Sequence, residues 1–311
     1  MSKPHFVVPG QVIAASRQTL HRRFVLRPDP QTVLIIKYLL ALCAEKHGVI
    51  LHVFCLMSTH YHIVFTDARG NRGEFFRDFH ALVTRCLQVS RGLGRSYVFD
   101  KGETSQLDCV TSTGVVEAVA YALANPTAAG ITSEPSQWPG NFCNADELAS
   151  GKVERIRRPD TFRHERGHLV RYFDLTGDTW PEHVELRFEP VPMLEAEGIH
   201  AAEYERRVQA HLKALIHEKV AEVGAPFSRV TKALRRRITT QAVQELAFGE
   251  CSPRIKAGAG ETEARVAAIR QLQEFWTLHA EAVANVKAGR SAVFPLGSYR
   301  WLRVFAFSTA T

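Results

Sequence analysis

The sequence lacks paired cysteines, long apolar runs and a basic tail, and each absence narrows the class of protein. Its six cysteines, among them Cys43, Cys55 and Cys86, are far apart and never spaced as C-x-x-C. These three lie in apolar runs, where a buried, reduced thiol is expected, and no cysteine joins a cluster of metal ligands. No apolar run reaches the roughly 18 residues that span a bilayer. The first residues lack the apolar segment of a signal peptide, so we expect a cytoplasmic protein.

Charge and composition indicate a globular protein with a slight basic excess. The 311 residues carry 39 Lys and Arg against 32 Asp and Glu, a net charge of +7. The excess is spread along the chain, since residues 1–140 hold 14 basic and 10 acidic side chains. It therefore favours a polyanionic partner only weakly. With 45% hydrophobic residues, the composition excludes collagen-like repeats, coiled coils and disordered tails.

Strand-like and helix-like patterns alternate over the first 140 residues. Short apolar or β-branched runs predict strands at residues 12–15, 49–57, 61–66, 97–99 and 106–110. Apolar side chains spaced by three and four predict helices at residues 32–46, 74–90 and 115–123. Ser112 is the expected N-cap of the third helix, and Pro126 is expected to end it. The order β-α-β-β-α-β-α predicts an α+β domain with a mostly antiparallel sheet.

The pattern changes beyond the Pro-, Gly- and Ser-rich stretch at residues 135–151. Residues 174–192 look irregular, and helical patterns resume at residues 201–222, 230–248 and 262–287. We therefore predict two regions, a domain over residues 1–145 and a mostly helical region of unknown role over residues 146–311.

The first pattern with chemical potential is His60-Tyr61-His62 on a predicted strand. Residues two apart on a strand point to the same face, about 6.6 Å apart along the chain. Two neutral imidazoles at that spacing can bind one divalent ion. With 14 histidines in the chain, chance alone gives about 0.6 such pairs, so a pair without a function stays open.

The second pattern is Tyr121 with Asn125 on the third predicted helix. Val116, Val119 and Leu123 belong to one apolar stripe, and Tyr121 lies about 140° from Val116 around the helix. Asn125 follows at i+4 on the side of the tyrosine. A half-exposed packing tyrosine is the plain interpretation. The alternative is a tyrosine nucleophile, with the amide oxygen of Asn125 as a third metal ligand and the ion polarising a phosphate.

Two segments resemble a known family, the single-tyrosine HUH transposases of insertion sequences and the REP-associated tyrosine transposases. Residues 54–64 (FCLMSTHYHIV) are similar to the family's His-hydrophobic-His segment. Residues 121–130 (YALANPTAAG), followed by Trp138-Pro139-Gly140, resemble its catalytic-tyrosine helix and the exit from it. The resemblance covers roughly residues 5–145. The chain departs from the family at Thr59, where Asn is usual, and after Asn125-Pro126, where bulky or basic residues are usual.

The resemblance implies a ferredoxin-like antiparallel sheet with helices packed on it, the HUH fold. It implies that His60, His62 and Asn125 bind Mg²⁺ or Mn²⁺, and that Tyr121 attacks a phosphate of single-stranded DNA. The products would be a 5′-phosphotyrosine and a free 3′-OH, and strand transfer would reverse the step without ATP. Hairpin-containing single-stranded DNA is the implied partner, with no membrane involved. The family leaves both a monomer and a dimer open.

Other basic residues are candidates for contact with DNA. Arg17, Arg22 and Arg23 flank the first predicted strand and suit phosphates or bases, although solvated surface charge explains them equally. Residues 228–237 hold five basic and no acidic side chains, again as a DNA-facing helix or as solvated charge.

Two other functions stay open beside a transposase-like enzyme. One is a domesticated protein that binds hairpin DNA or RNA without cutting it. The other is a hydrolase that uses the same histidines on a small phosphoester.

Overall fold

A computed structural model of the chain describes residues 3–160, 180–223 and 254–299. Its strands are β1 Gln11–Gln18, β2 Val49–Leu56, β3 His60–Asp67, β4 Ser105–Cys109, β5 Lys152–Arg157, β6 His183–Phe188 and β7 Ile255–Lys256. Five of them form one sheet in the order β2-β3-β1-β4-β7, and β5 pairs with β6 separately. Every neighbouring pair of the larger sheet is antiparallel except β4 with β7. The prediction of a mixed fold with a mostly antiparallel sheet is confirmed.

The helices begin and end where local signals dictate. They are α1 Pro30–His47, α2 Arg72–Ser90, α3 Ser112–Ala128, α4 Pro192–Ala196, α5 Ala201–Val223 and α6 Thr262–Lys287. In α1, the carboxylate of Asp29 accepts a hydrogen bond from the Thr32 amide at 3.0 Å, and Gly48 ends the helix at φ +67°. An N-cap oxygen and a left-handed glycine satisfy the backbone groups that a helix leaves unpaired. None of the helices described is long and apolar enough to cross a membrane.

The helices pack on opposite faces of the sheet. Tyr61 of β3 stacks against Phe54 and contacts Phe79 of α2, with ring centroids 5.2 and 5.9 Å apart. The next residue, His62, contacts Tyr121 of α3. Because successive side chains of a strand point to opposite faces, α2 and α3 lie on opposite sides of β3. Phe75, which belongs to the predicted stripe of α2, is buried in the same core as Phe79.

The structure corrects the prediction at residues 97–99. They form no strand, and Phe99 makes only an isolated bridge with Thr19.

Both predicted ends of α3 are wrong. Its N-cap is Thr111, whose hydroxyl accepts a hydrogen bond from the Gly114 amide at 3.1 Å, and not Ser112. Pro126 lies inside the helix, which continues to Ala128. A proline inside a helix removes one amide donor and crowds the carbonyl four residues earlier, yet here the last turn is still closed by the Ala129 amide, which donates to the Asn125 carbonyl at 2.9 Å.

The second half contains more strand than predicted. Residues His183–Phe188 form β6, so the expectation of irregular chain over residues 174–192 is wrong there. Alternate side chains of β6, Val184, Leu186 and Phe188, are buried, which is the period of a half-buried strand. The predicted helices at 201–222 and 262–287 are confirmed. The predicted helix at 230–248 and the basic run at 228–237 lie outside the described residues.

Both halves of the chain contribute to the core. Tyr204, Val208 and Leu212 of α5 belong to the same buried cluster as the side chains of β2 and β3. β7 pairs with β4 at the edge of the main sheet. The division into residues 1–145 and 146–311 stays a prediction. Cys43, Cys55 and Cys86 are buried and form no disulfide among the described residues, as expected.

The segment around Trp138 holds the end of β2 in place. Its indole nitrogen donates a hydrogen bond to the Leu56 carbonyl at 2.8 Å, and the Leu56 amide donates to the Gly140 carbonyl at 2.8 Å. A Cβ on Gly140 would overlap the Leu56 carbonyl oxygen, so only glycine fits this approach.

We expect Gly140→Ala to lower the free energy of unfolding by about 2 kcal/mol, because the added methyl forces the backbone of β2 to shift. Urea unfolding followed by circular dichroism measures the change. Gly102→Ala is the matched control, since a Cβ there meets nothing within 4 Å. Equal stability of the two variants would contradict the proposed close approach.

Candidate functional site

Two histidines of β3 lie side by side on the face of the sheet that α3 covers. The ring centroids of His60 and His62 are 5.0 Å apart, and both side chains are half-buried. The Met57 amide donates to the His60 carbonyl at 2.8 Å and closes the hairpin between β2 and β3. Thr59 adds a hydrogen bond between its Oγ1 and His60 Nδ1 at 3.0 Å. The hairpin therefore orients His60 through the residue before it.

Burial keeps both imidazoles neutral. It lowers the pKa of His60 to about 4, and the nearby charge of Arg22 lowers it further against a hydrogen bond with Asn125. Burial also lowers the pKa of His62 to about 3, and His60 adds to that effect. At neutral pH each ring therefore keeps one unprotonated nitrogen, which is the form of histidine that binds a metal.

Tyr121 and Asn125 of α3 face these histidines. Tyr121 is 56% exposed, whereas Val119 and Leu123 on the other side of the helix are buried. Its ring centroid lies 5.5 Å from that of His62, in an edge-to-face arrangement. The Asn125 side-chain amide donates to the Tyr121 carbonyl at 2.8 Å and also hydrogen-bonds His60. The structure thus brings all four predicted side chains of the site together.

The donor set suits a divalent ion. No group of three or more His, Cys, Asp or Glu side chains in the described part of the chain could hold a metal. The third candidate donor is the side-chain oxygen of Asn125. Nδ2 of the same amide donates a hydrogen bond to the Tyr121 carbonyl. Two imidazole nitrogens and one amide oxygen could together hold a divalent ion, and the amide oxygen is the donor type that Mg²⁺ and Mn²⁺ prefer.

The three predicted arginines have different surroundings. Arg17 is half-buried and donates from Nη2 to the Asp100 carbonyl at 2.6 Å. Arg22 has left-handed backbone, φ +51°, and is near enough to His60 for its charge to act on that ring. Arg23 is buried and donates to the carbonyls of Leu20 and Tyr97. Only Arg22 is thus coupled directly to the histidine pair.

A cavity of about 420 Å³ beside Tyr121 and His62 contains residues that sequence reasoning missed. Glu117 of α3 pairs there with Lys256 of β7, and His211 of α5 lines the same cavity. Glu117 lies four residues before Tyr121, so helical spacing alone places it on the same face. Lys256 and His211 come from distant segments, and no local signal points to them.

Lys219 of α5 pairs with Glu222, Nζ to Oε2 at 2.7 Å, and is near enough to Tyr121 for the two groups to interact electrostatically. The pKa of its ammonium is raised, first by a hydrogen bond to Glu222 and, among weaker charges, by Tyr121.

No protein-family model and no curated protein matches this sequence. Among solved structures, a REP-associated tyrosine transposase bound to a REP hairpin is similar to it. The similarity covers 58% of this chain and 99% of that one, with 12% identity and a TM-score of 0.41. At this level it carries no argument about family or function, which depend on the geometry of the site.

We expect the His62 imidazole to stay neutral between pH 8 and pH 5, because burial lowers its pKa to about 3. The measurement is the pH dependence of the histidine Cε1–H resonances, with the His62 signal assigned from its loss in His62→Ala. A midpoint near 6.5, the value of a solvated histidine, would contradict the described burial.

Proposed function

We propose that the protein is a metal-dependent, single-stranded DNA endonuclease and strand transferase that acts through a covalent bond between Tyr121 and DNA. The observation that carries this proposal is the exposed Tyr121 beside two neutral histidines and Asn125. A tyrosine on the buried apolar stripe of α3 would have no access to DNA, whereas Tyr121 is 56% exposed. The strand order β2-β3-β1-β4 supports a ferredoxin-like sheet of the HUH type as the scaffold.

His60, His62 and Asn125 would hold Mg²⁺ or Mn²⁺ at this site. When bound, the ion supplies Lewis acidity that polarises a phosphate oxygen. The hydrogen bond between Thr59 Oγ1 and His60 Nδ1 orients the His60 ring, and burial keeps both imidazoles neutral. The hydrogen bond from Asn125 Nδ2 to the Tyr121 carbonyl fixes the amide and the tyrosine on one face of α3.

The reaction is a transesterification at phosphorus. The Tyr121 oxygen forms a bond to the phosphorus and loses its phenolic proton, while the P–O3′ bond breaks and the leaving O3′ takes up a proton. The products are a 5′-phosphotyrosine and a free 3′-OH. A 3′-OH that attacks the phosphotyrosine reverses both changes and joins two strands. Because one phosphoester bond replaces another, no ATP is consumed.

The proposed partner is single-stranded DNA that contains hairpins. Lys219 and Arg22 are near enough for their charges to act on Tyr121 and His60, respectively, so they add positive charge around the site. Cations in such positions attract the phosphate backbone and raise the rate of encounter. Arg17 and Arg23, at the end of β1 and just beyond it, stay predicted DNA contacts from the sequence, but Arg23 is buried and both side chains donate to backbone carbonyls.

We expect the protein to form a covalent adduct with hairpin-containing single-stranded DNA in the presence of Mn²⁺. Tyr121→Phe should abolish the adduct, because it removes the attacking oxygen and keeps the ring. Denaturing gels with 5′- and 3′-labelled strands measure adduct and cleavage. Tyr97→Phe, which alters another exposed tyrosine, is the matched control and should leave the adduct unchanged.

The other outcomes of this experiment separate the rival functions. An adduct that persists in Tyr121→Phe would overturn the choice of nucleophile. Cleavage without an adduct would favour a hydrolase. Salt-dependent binding without either product would favour a domesticated protein that binds hairpin DNA or RNA.

We also expect His60→Ala and His62→Ala each to weaken Mn²⁺ binding at least about tenfold, because each removes a nitrogen ligand. Isothermal titration calorimetry on protein without DNA measures the affinity, so the result does not depend on activity. His200→Ala, an exposed histidine far along the chain, is the control. Unchanged affinity in both site variants would exclude this metal site.

A further inference from the structure

The cavity of about 420 Å³ beside Tyr121 lies on the face of the sheet that carries the histidine pair. Its floor is made of side chains that pair directly across three strands. Ser16 of β1 pairs with His62 of β3 and with Ser105 of β4, and directly paired residues of neighbouring strands share one face. The cavity and the phosphate that Tyr121 would attack are therefore on the same side of the sheet.

Small and apolar side chains leave this space open between the sheet and two helices. Ala118 and Ala122, one turn apart on α3, line the cavity together with Leu215 of α5. The volume falls within the range of about 300–1,000 Å³ that is usual for pockets that bind small molecules. Further apolar side chains from the strands line the same space, namely Ala14, Val64 and Leu107.

The charged side chains at this cavity are paired with each other. Glu117 forms an ion pair with Lys256, and its other carboxylate oxygen accepts a hydrogen bond from the Ala259 amide at 2.8 Å. Among the described residues, no further Lys, Arg, Asp or Glu side chain lines the cavity. The hydroxyls of Ser16 and Ser105 add neutral polar groups to its floor. The interior therefore suits a neutral ligand better than a phosphate, which needs an unpaired cation.

The helix α5, from the later part of the chain, supplies one wall of the cavity. His211, Leu215 and Lys219 follow one another at intervals of four residues, so they belong to one stripe of the helix. The first two line the cavity, and the third is near enough to Tyr121 for an electrostatic interaction. One stripe of α5 thus runs along the cavity and reaches the tyrosine.

A nucleobase matches this combination of groups. It is flat and neutral, its faces pack against apolar and aromatic side chains, and its edge carries donors and acceptors that hydroxyls and an imidazole can satisfy. Single strands present such bases unpaired. Tyr121 and His62 both line the cavity, so a base held there brings its own sugar and phosphate close to both side chains.

We infer that this cavity takes one unpaired base of the single-stranded DNA, from the nucleotide next to the phosphate that Tyr121 attacks, and that α5 forms the wall against which this base packs. The position of the nucleotide rests on the proposed function, whereas the binding of a base in the cavity does not. Ala118, Ala122 and Leu215 contact the ring, and the hydroxyls of the floor contact its edge.

The test uses the full chain with Tyr121→Phe as the parent protein, because this change keeps the ring and prevents the reaction. Fluorescence anisotropy measures binding of labelled, hairpin-containing single strands at several salt concentrations. Ala118→Leu, which puts a larger side chain into the cavity, should weaken binding about tenfold, the order expected for one stacked base. The slope of log K against log salt should not change, because no phosphate contact is lost. Ala128→Leu, exposed on the same helix and outside the cavity, is the matched control.

A second variant removes the wall that α5 supplies. Leu215→Ala should also weaken binding without changing the salt slope, so the test does not depend on the folding of a single variant. Val220→Ala, which shortens an exposed side chain of the same helix outside the cavity, is its control. Circular dichroism of each variant verifies that it is folded.

An abasic position moved stepwise along the strand identifies the nucleotide. One position should weaken binding to the parent protein and have no further effect in Ala118→Leu, because both changes remove the same contact. Cleavage by the chain with Tyr121 intact maps the attacked phosphate, which should adjoin that position.

Two outcomes separate this inference from the proposed function. If the effects of Ala118→Leu and of every abasic position simply add, the inference is overturned, even where the covalent adduct of Tyr121 forms. If one abasic position is coupled to Ala118→Leu in a protein that forms no adduct, the base site is retained and the proposed reaction is rejected.

Discussion

The alternation of side chains along β3 is the constraint on which the rest of the site depends. Tyr61 points into the core, where it stacks on Phe54 and its hydroxyl hydrogen-bonds His80 at 2.6 Å. His60 and His62 therefore point to the opposite face, toward α3. A slip of one residue in the pairing would bury the histidines and expose the tyrosine. The aromatic contacts of Tyr61 thus hold the register that presents both imidazoles to Tyr121.

Burial also determines the protonation state of the histidines. A protonated imidazole is poorly solvated in the protein interior. Burial therefore lowers the pKa of His80 to about 3, as it does for His62 on the opposite face of the sheet. A metal binds the neutral form of histidine, and burial keeps His60 and His62 in that form. Tyr121 differs because it stands on the exposed side of α3. The site therefore combines two groups that need burial with one that needs access to a substrate.

Local periodicity predicted most of the elements and the pairs of residues within them. The i, i+2 spacing placed both histidines on one face, and the i, i+4 spacing placed Asn125 beside Tyr121. At Pro126, where the predicted helix end is wrong, the hydrogen bonds of the following turn carry the helix past the proline. Spacing within β3 or within α3 did not predict that the two elements meet at one site. That expectation came from the resemblance to a family. Lys256 and His211 reach the cavity by tertiary packing alone, which no local pattern encodes.

The later part of the chain is coupled to the site although its sequence carries no motif. Lys256 of β7 pairs with Glu117, one turn before Tyr121, so the edge strand ties α3 to the sheet. Ser16 of β1 pairs with His62 on one side and with Ser105 on the other. β1 is therefore the single strand between β4 and β3, the strand that carries the histidines. Strand pairing thus connects β4 to the strand that carries the histidines, and one ion pair connects β7 to the helix that carries Tyr121. The edge strands of the sheet therefore belong to the structure that supports the site.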